Sequence, residues 1–438
     1  MSACHAIVVR EWQSASWTLL VARNFGLKVT LSAAPMKNNA SLASTSFQIN
    51  AEKNPSLWML SVITLIASMS MHIFVPALPA VAEKFGSSAA LAQLTLTAYI
   101  VGMGAGQLIY GPLSDRYGRR PVLMCGMVMF TLASLVSLVS PTIGILIVAR
   151  LVEGLGAGAG LVLGRAIVRD CHAGEQATRM LSLLNLFLLM APGFSPLVGS
   201  MLSQTIGWRS IFAVLSLVGC LNLVIIFFML RETRHDLEPS FRAVLADYGV
   251  LVRSANFLRY SIAGGCTANS IYAFIGASPF VFVHQLHRPF HEIGIYLAIN
   301  IAGMALGSFF TRTFVGRIPS ARLLKYGNLL SCIGIAAFCV TAIAGQLAVW
   351  NVLATILAFT IGAGMVSPIT LSRALNVNPH VAGSSSGFYG FSQQIIGAAC
   401  TALATIGSNP ALAAGLTMLA AVLIAQLCIA KSESHAVR

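Results

Sequence analysis

Twelve stretches of this chain are apolar over the length a helix needs to cross a lipid bilayer. They lie near residues 57–77, 90–112, 121–140, 143–165, 180–203 and 209–230, then near 258–283, 291–311, 323–344, 347–370, 386–407 and 411–430. About 20 helical residues cover the hydrocarbon core. Inside that core a backbone N–H or C=O finds no water, so each run has to satisfy its own hydrogen bonds as a helix. The composition agrees, with 57% hydrophobic and only 9% charged residues in 438. A soluble chain carries roughly a quarter charged residues. The fold expected is therefore an all-α membrane protein with twelve transmembrane helices.

The charge-rich stretch Arg231–Phe257 divides the runs into two sets of six. The expected organisation is a weakly ordered cytoplasmic arm over 1–56 and a six-helix bundle over 57–230. A cytoplasmic linker over 231–257, a second six-helix bundle over 258–430 and a short cytoplasmic tail over 431–438 follow. In the arm, Trp17–Ala22 is too short to span and no signal-peptide cleavage pattern appears. Met36 reads as an alternative natural start.

The net charge of +14 would raise the question of nucleic acid in a soluble domain. Here the basic residues sit in alternate gaps between apolar runs: Arg116, Arg119 and Arg120; Arg165, Arg169 and Arg179; Arg231 to Arg259; Arg312, Arg317, Arg322 and Lys325. The other gaps hold only Lys84, Arg209 and Arg288. That is the positive-inside pattern, and it puts both termini in the cytoplasm. No segment interleaves basic and aromatic residues as a single-strand groove does, so no nucleic-acid partner is expected. The lipid bilayer is the expected partner. Most of the nine cysteines, Cys125, Cys220, Cys332 and Cys400 among them, lie in apolar runs without a CxxC pair. They read as buried apolar side chains rather than metal ligands or disulfides.

The densest motif is the loop between the second and third runs, Gly111-Pro-Leu-Ser-Asp115-Arg116-Tyr-Gly118-Arg119-Arg120-Pro121. Its glycines allow a tight turn at a helix end, and Pro121 suits a helix start. Asp115 with the arginines forms a compact charge cluster able to latch one bundle to another; the plainer alternative is an ordinary positive-inside loop. This segment resembles the signature loop G-x-L-S-D-R-x-G-R-R of the major facilitator superfamily. Residues Gln93 to Tyr99, continuing through Gly106 to Arg116, are similar to the Bcr/CflA drug-resistance group. Pro379 to Gly387 looks like that group's last cytoplasmic loop. The resemblance implies two pseudo-symmetric six-helix bundles with a substrate site between them near mid-depth. It implies a bacterial inner-membrane antiporter that exports drugs or related amphipathic small molecules against incoming protons.

Three further motifs bear on that expectation. The fourth run holds Arg150 and Glu153, three apart on one helix face, where the superfamily pattern R-x-x-Q-G has a glutamine. Ionisable groups at this depth need a partner or water. Glu153 is a proton-coupling candidate tuned by Arg150, and a static ion pair is the alternative. The fifth run holds Pro192, Ser195, Pro196 and Gly199, similar to the antiporter motif G-x-x-x-G-P-x-x-G-G. Its two prolines remove backbone donors and kink a helix. In the first run His72 stands where relatives have an aspartate. It is a third proton candidate, or a hydrogen-bonded packing residue.

Tyr99, Asn185, Asn269, Tyr272 and Asn300 are polar residues in apolar runs. They line a cavity or bond one helix to another. His284, His287 and His291 share an external loop that Pro289 interrupts, and no metal site is expected there. No GxxxxGK[ST] motif occurs, so no nucleotide and no cofactor is expected, and a proton gradient is the expected driving force. The chain is expected to act as a monomer. A dedicated metabolite or siderophore exporter is the alternative reading, and a nutrient importer conflicts with the antiporter-like run. A membrane-embedded enzyme would need a polar catalytic set that is not found. A channel or receptor would not explain the bipartite layout.

Overall fold

The computed structural model describes residues 57–172, 174–233, 241–315, 317–377, 382–407 and 409–436. The expected arm over 1–56 lies outside the described residues, as do 234–240 of the linker and 379–381 of the loop from Pro379, whose remainder is helical from Ala382 rather than a loop. Among the described residues no β-strand forms. The described residues open with α1 (Leu57–Ile73), a 3-10 turn (Val75–Ala77) and α2 (Leu78–Lys84). Pro76 sits in that turn, so the first apolar run bends there rather than ending. Then come α3 (Ala89–Tyr117), α4 (Arg119–Leu138), α5 (Ile143–Cys171), α6 (Gly174–Thr205) and α7 (Arg209–Met229). A helix absent from the sequence reading, α8 (Phe241–Arg253), lies in the linker. The next helical stretch joins α9 (Ala255–Gly264), a π segment (Gly265–Asn269), α10 (Ile271–Phe280) and a second π segment (Val281–Gln285). The chain closes with α11 (Phe290–Phe314), α12 (Ser320–Ile343), α13 (Val349–Val377), α14 (Ala382–Leu403) and α15 (Pro410–Ala436).

Caps set several of these boundaries. The Ser88 hydroxyl accepts from the Leu91 N–H at 3.3 Å and opens α3. Thr142 does the same for Ile145 at 3.4 Å and opens α5. Gly118 separates α3 from α4 at φ +93°, a conformation that strains any residue with a Cβ.

Among the described residues, ten helical stretches are long and apolar enough to cross a membrane. The sequence reading counted twelve. Of the remaining two, α6 includes side chains outside the described residues, and α14 carries Ser384, Ser385, Ser386, Ser392, Gln393 and Gln394 within its length. Large apolar side chains such as Phe228, Val148, Ile343 and Trp350 point outward, as a lipid solvent permits.

α5 packs against α1, α3 and α4; α4 packs on α7, and α1 on α6 and α7. Later in the chain α13 packs against α9, α11 and α12; α12 packs on α15, and the α9–α10 stretch on α14 and α15. The neighbours of α13 thus repeat those of α5 six long helices further on. The early and late helices meet where α3 packs on α14, α6 on α11, and α10 on α3 and the 3-10 turn. Close approach at α5 depends on glycine. A Cβ at Gly154 would collide with the Tyr99 carbonyl oxygen of α3, and one at Gly160 would sit 2.7 Å from the Ile63 carbonyl oxygen of α1. Small residues that let backbones touch replace the hydrophobic effect as the packing device in lipid.

Candidate functional site between the early and late helices

Arg150 and Glu153 lie on consecutive turns of α5 and both are fully buried. Arg150 Nη1 is 3.1 Å from Glu153 Oε2. Ser70 of α1 ties the pair down: its hydroxyl donates to Glu153 Oε1 at 2.6 Å and accepts from Arg150 Nη1 at 3.0 Å. Arg150 Nη2 also donates to the Ser70 carbonyl at 3.3 Å. The Arg150 Nε has no hydrogen bond among the described residues. The guanidinium lies instead over the rings of Tyr99, Phe74 and Phe212, at 4.2, 5.1 and 5.8 Å. Aromatic faces stabilise a desolvated cation. Of the two readings of Tyr99, the structure matches the bond from one helix to another: the ring walls the arginine, and its hydroxyl donates to the Ala67 carbonyl of α1 at 2.7 Å.

His72, two residues after Ser70, faces the other way. Its ring stands edge-on to Tyr272 of α10, with centroids 6.5 Å apart. His72 Nδ1 is 2.8 Å from the Ser68 carbonyl. A carbonyl oxygen only accepts, so the hydrogen is on Nδ1 and Nε2 keeps a lone pair in the neutral ring. Tyr272 lies against Gly397 of α14, where a Cβ would come within 2.5 Å of the tyrosine ring.

Beside this pair carboxamides gather where α14 meets both α3 and the π segment that ends at Asn269. Asn269 Nδ2 donates to the Gln393 carbonyl at 2.9 Å and lies 3.5 Å from Gln394 Oε1. Gln394 Nε2 reaches the Met103 sulfur at 4.0 Å. A Cβ at Gly390 would collide with Gln107 Oε1, and one at Gly104 would lie 3.0 Å from the Gln394 Cβ. His72, Met103, Asn269, Tyr272 and Gln394 all sit near the midpoints of their helical stretches. The sequence reading named His72, Asn269 and Tyr272 but missed Ser70, Gln107, Gln393 and Gln394. The Gln393-Gln394 pair was visible as the polar centre of an apolar run; nothing in one sequence marks Ser70. Asn300 lies apart on α11, bonded to its own helix at the Tyr296 carbonyl, 3.0 Å away. Asn185 is on α6, and its side chain lies outside the described residues.

The signature loop gathers at the other end of α3. Gly111 lies inside α3, so of the loop's glycines Gly118 alone makes the turn. Arg119 pairs with Asp115 and Asp170, each at 2.8 Å, and donates to the Ser114 hydroxyl at 2.6 Å. The Glu232 carboxylate accepts from the first backbone N–H groups of α4, Arg119 at 2.8 Å and Arg120 at 3.1 Å, where a helix N-terminus favours negative charge. Arg120 also donates to the Phe227 carbonyl at 2.7 Å. Arg116 lies over the Tyr117 ring at 5.2 Å. These ties fasten the ends of α3, α4, α5 and α7 to one another.

α8 reaches further. Its Tyr248 hydroxyl donates to the Leu108 carbonyl of α3 at 3.2 Å, and its Asp247 accepts from Ser384 of α14 at 2.9 Å. Burial, reinforced by the Asp247 and Asp115 carboxylates, pushes the Tyr248 hydroxyl up to about 12.

Pro192 and Pro196 lie inside α6 without ending it. Ser195 and Pro196 are buried, and a Cβ at Gly199 would collide with the Ile73 carbonyl where α1 bends. In the external loop His284 stacks on Phe280 with centroids 6.0 Å apart, and Arg288 pairs with Glu292 at 2.8 Å. Among the described residues no group of three or more His, Cys, Asp or Glu side chains is placed to hold a metal ion.

Ten bilayer-length helices around a polar mid-depth contact define a multi-pass membrane protein. Residues 60–401 match the Major Facilitator Superfamily. The chain belongs to that superfamily of transporters, within its Bcr/CflA-like drug-resistance group. It is 32% identical to the multidrug resistance protein D of Escherichia coli (strain K12), over 77% of this chain and 85% of that one. It is 26% identical to the bicyclomycin resistance protein homolog of Haemophilus influenzae, over 86% and 96%. The fold matches the crystal structure of a D-xylose-proton symporter with a TM-score of 0.66 at 14% identity, over 84% of this chain and 96% of that one.

Proposed function

We propose that the chain is a proton-coupled exporter of drugs or related small amphipathic molecules, working by alternating access in a bacterial inner membrane. On this reading α6 and α14 also cross, giving twelve helices in two pseudo-symmetric bundles with both termini in the cytoplasm. The observation that carries it is the contact plan. α3 with α5 recurs as α11 with α13, α4 with α7 as α12 with α15, and α1 with α6 as α9–α10 with α14. The contacts between the sets obey the same shift, since α3 on α14 is mirrored by α11 on α6. Such a plan gives two equivalent bodies that rock about one central site.

His72 is the proton group this geometry favours. It faces Tyr272 across the contact and keeps a free acceptor nitrogen, whereas Glu153 is held by Ser70 and Arg150. The substrate meets the same surface, so proton and substrate compete for one place. The working unit is a monomer, with no cofactor.

The test is transport into proteoliposomes under an imposed pH gradient. Wild type is expected to accumulate substrate only with the gradient, and His72→Ala to retain downhill movement while losing accumulation. Full gradient-driven accumulation by His72→Ala would remove His72 from the role. Labelling of cysteines at Arg119 and Arg317 from opposite membrane faces would overturn the topology.

A further inference from the structure

Between Glu292 and Glu433 the sequence holds no aspartate or glutamate, yet it holds Arg312, Arg317, Arg322, Lys325, Arg373 and Lys431. The first four cluster at the turn from α11 to α12, the counterpart of the turn from α3 to α4. The two turns balance their charge differently. In the early one Arg119 is buried and paired with Asp115 and Asp170. Counting four residues on from Gly111 and from Gly307 puts Thr311 at the place of Asp115. Gly156 and Gly362 correspond as well, since a Cβ on either would collide with a carbonyl oxygen, that of Gly126 in α4 or of Gly327 in α12. Fourteen residues on from each, Asn376 takes the place of Asp170. Neither replacement carries charge. The Thr311 hydroxyl donates to the Met365 carbonyl at 3.0 Å. Arg373 donates to the Ser320 hydroxyl at 3.0 Å and lies over the Tyr260 ring at 5.7 Å. Among the described residues, Arg312, Arg317, Arg322 and Lys325 are exposed and form no ion pair.

Apolar surface accompanies these cations. Phe310 and Phe314 flank Arg312 on α11, both exposed and stacked with centroids 6.4 Å apart. On α12, Tyr326 and Leu329 are exposed along the stripe that carries Arg322 and Lys325, at spacings of three and four residues. The turn between the helices is tight. The Arg317 and Ile318 N–H groups both donate to the Phe314 carbonyl, at 3.0 and 2.9 Å.

Aromatic and aliphatic surface bordering a line of cations is the chemistry of the boundary between hydrocarbon and headgroups. A free phosphate would use the cations alone. A phospholipid of net negative charge uses both features, its phosphate against guanidinium and ammonium groups and its chains along the exposed rings. At the early turn the same lipid would find Arg119 already held by two carboxylates.

We infer that the turn between α11 and α12 is a binding site for an anionic phospholipid. Arg317, Arg322 and Lys325 hold the headgroup phosphate, and the exposed rings of Phe310, Phe314 and Tyr326 seat the acyl chains. The site needs only a bilayer around the chain, so it stands apart from the proton coupling and cargo proposed above.

The test is native mass spectrometry of the purified full chain, delipidated in detergent and titrated with phosphatidylglycerol or with phosphatidylethanolamine of the same acyl chains. Wild type is expected to bind phosphatidylglycerol the more tightly. Arg317→Gln, Arg322→Gln and Lys325→Gln are each expected to weaken that binding about fivefold, the effect of one Lys or Arg at an anionic membrane surface, and to leave phosphatidylethanolamine unaffected. The triple variant is expected to bind the two lipids alike. Lys84→Gln, exposed at the opposite end of the helices, is expected to keep the wild-type preference. Size-exclusion profiles and thermal unfolding in detergent establish that each variant is folded. Equal affinity of wild type for the two lipids, as when an acidic protein segment covers the cations, would overturn the site. An undiminished preference in the folded glutamine variants would do the same. Displacement of phosphatidylglycerol by an equal concentration of glycerol 3-phosphate would show that any phosphate suffices and would overturn the lipid assignment.

Discussion

Arg150 and Glu153 lie wholly inside the early helices, whereas Gln107, Asn269 and Gln394 lie where those helices meet the late ones and carry no charge. Both sets are polar groups at the depth of hydrocarbon. In the first, formal charges are confined by a partner, a bridging hydroxyl and three aromatic faces. In the second, neutral amides gather at a contact that two bodies share, and Gln394 reaches the Met103 sulfur across it. A full charge at a contact that has to open would be stranded at each opening. A carboxamide is not, because its bonds are individually weak, averaging about 0.6 kcal/mol for hydrogen bonds between membrane helices. On the carrier reading proposed above, the difference separates a fixed interior from a seam that opens and closes.

The largest effect is expected from locking the seam. The Cβ positions of Gly104 and Gln394 lie 3.0 Å apart, so a parting of about 0.5 Å brings them into the span of a disulfide. In a variant without native cysteines, Gly104→Cys with Gln394→Cys is expected to cross-link under mild oxidant and to abolish transport, with reductant restoring it. Undiminished transport by the cross-linked protein would show that α3 and α14 do not part.

The charge pair is expected to answer differently. Removing one partner strands the other, so Arg150→Met or Glu153→Leu should each cost about 3–5 kcal/mol of stability in detergent. The double variant should recover most of that loss. Equal instability of the double and single variants would mean that the site needs charge itself rather than balance.

A smaller effect is expected at α8, which bridges α3 and α14. Tyr248→Phe removes one hydrogen bond, worth about 0.5–1.5 kcal/mol. Hydrogen exchange over 241–253 should quicken by a corresponding factor. Burial raises the Tyr248 pKa from the ordinary 10 to about 12, so folding holds the phenol proton more tightly than the unfolded chain does. Its contribution is therefore complete below pH 10 and lost as the pH climbs toward 12. Protection of α8 that falls between pH 7 and 9 would contradict the assignment.

The helical architecture was legible because lipid imposes one rule on every backbone group, and apolar runs of sufficient length record it. α14 shows where that rule thins out: it serves a seam, so its serines and glutamines lower the apolar signal by which crossings are recognised. The Arg150–Glu153 pair was legible from spacing along one helix. Its sealing was not, because Ser70, Phe74, Tyr99 and Phe212 come from three other helical stretches and meet only in the fold. For that reason the sequence left Tyr99 open between lining a cavity and bonding one helix to another, since a side chain's facing depends on which neighbour occupies which side. α8 escaped notice because its apolar stripe is short and sits in a charge-rich stretch.

The stretch from Ala255 to Gln285 is wound in two registers, with π segments on both sides of α10. A π turn holds one residue more than an α turn, and each α residue advances by about 100°, so the segment fixes which way α10 points. Tyr272 owes its bearing toward His72 to that extra residue. Winding Gly265–Asn269 as plain α helix without shortening it would swing the tyrosine about 100°, roughly a quarter turn, around the helix axis. The stretch thus works as a compass needle whose heading is stored in the backbone rather than in any side-chain contact.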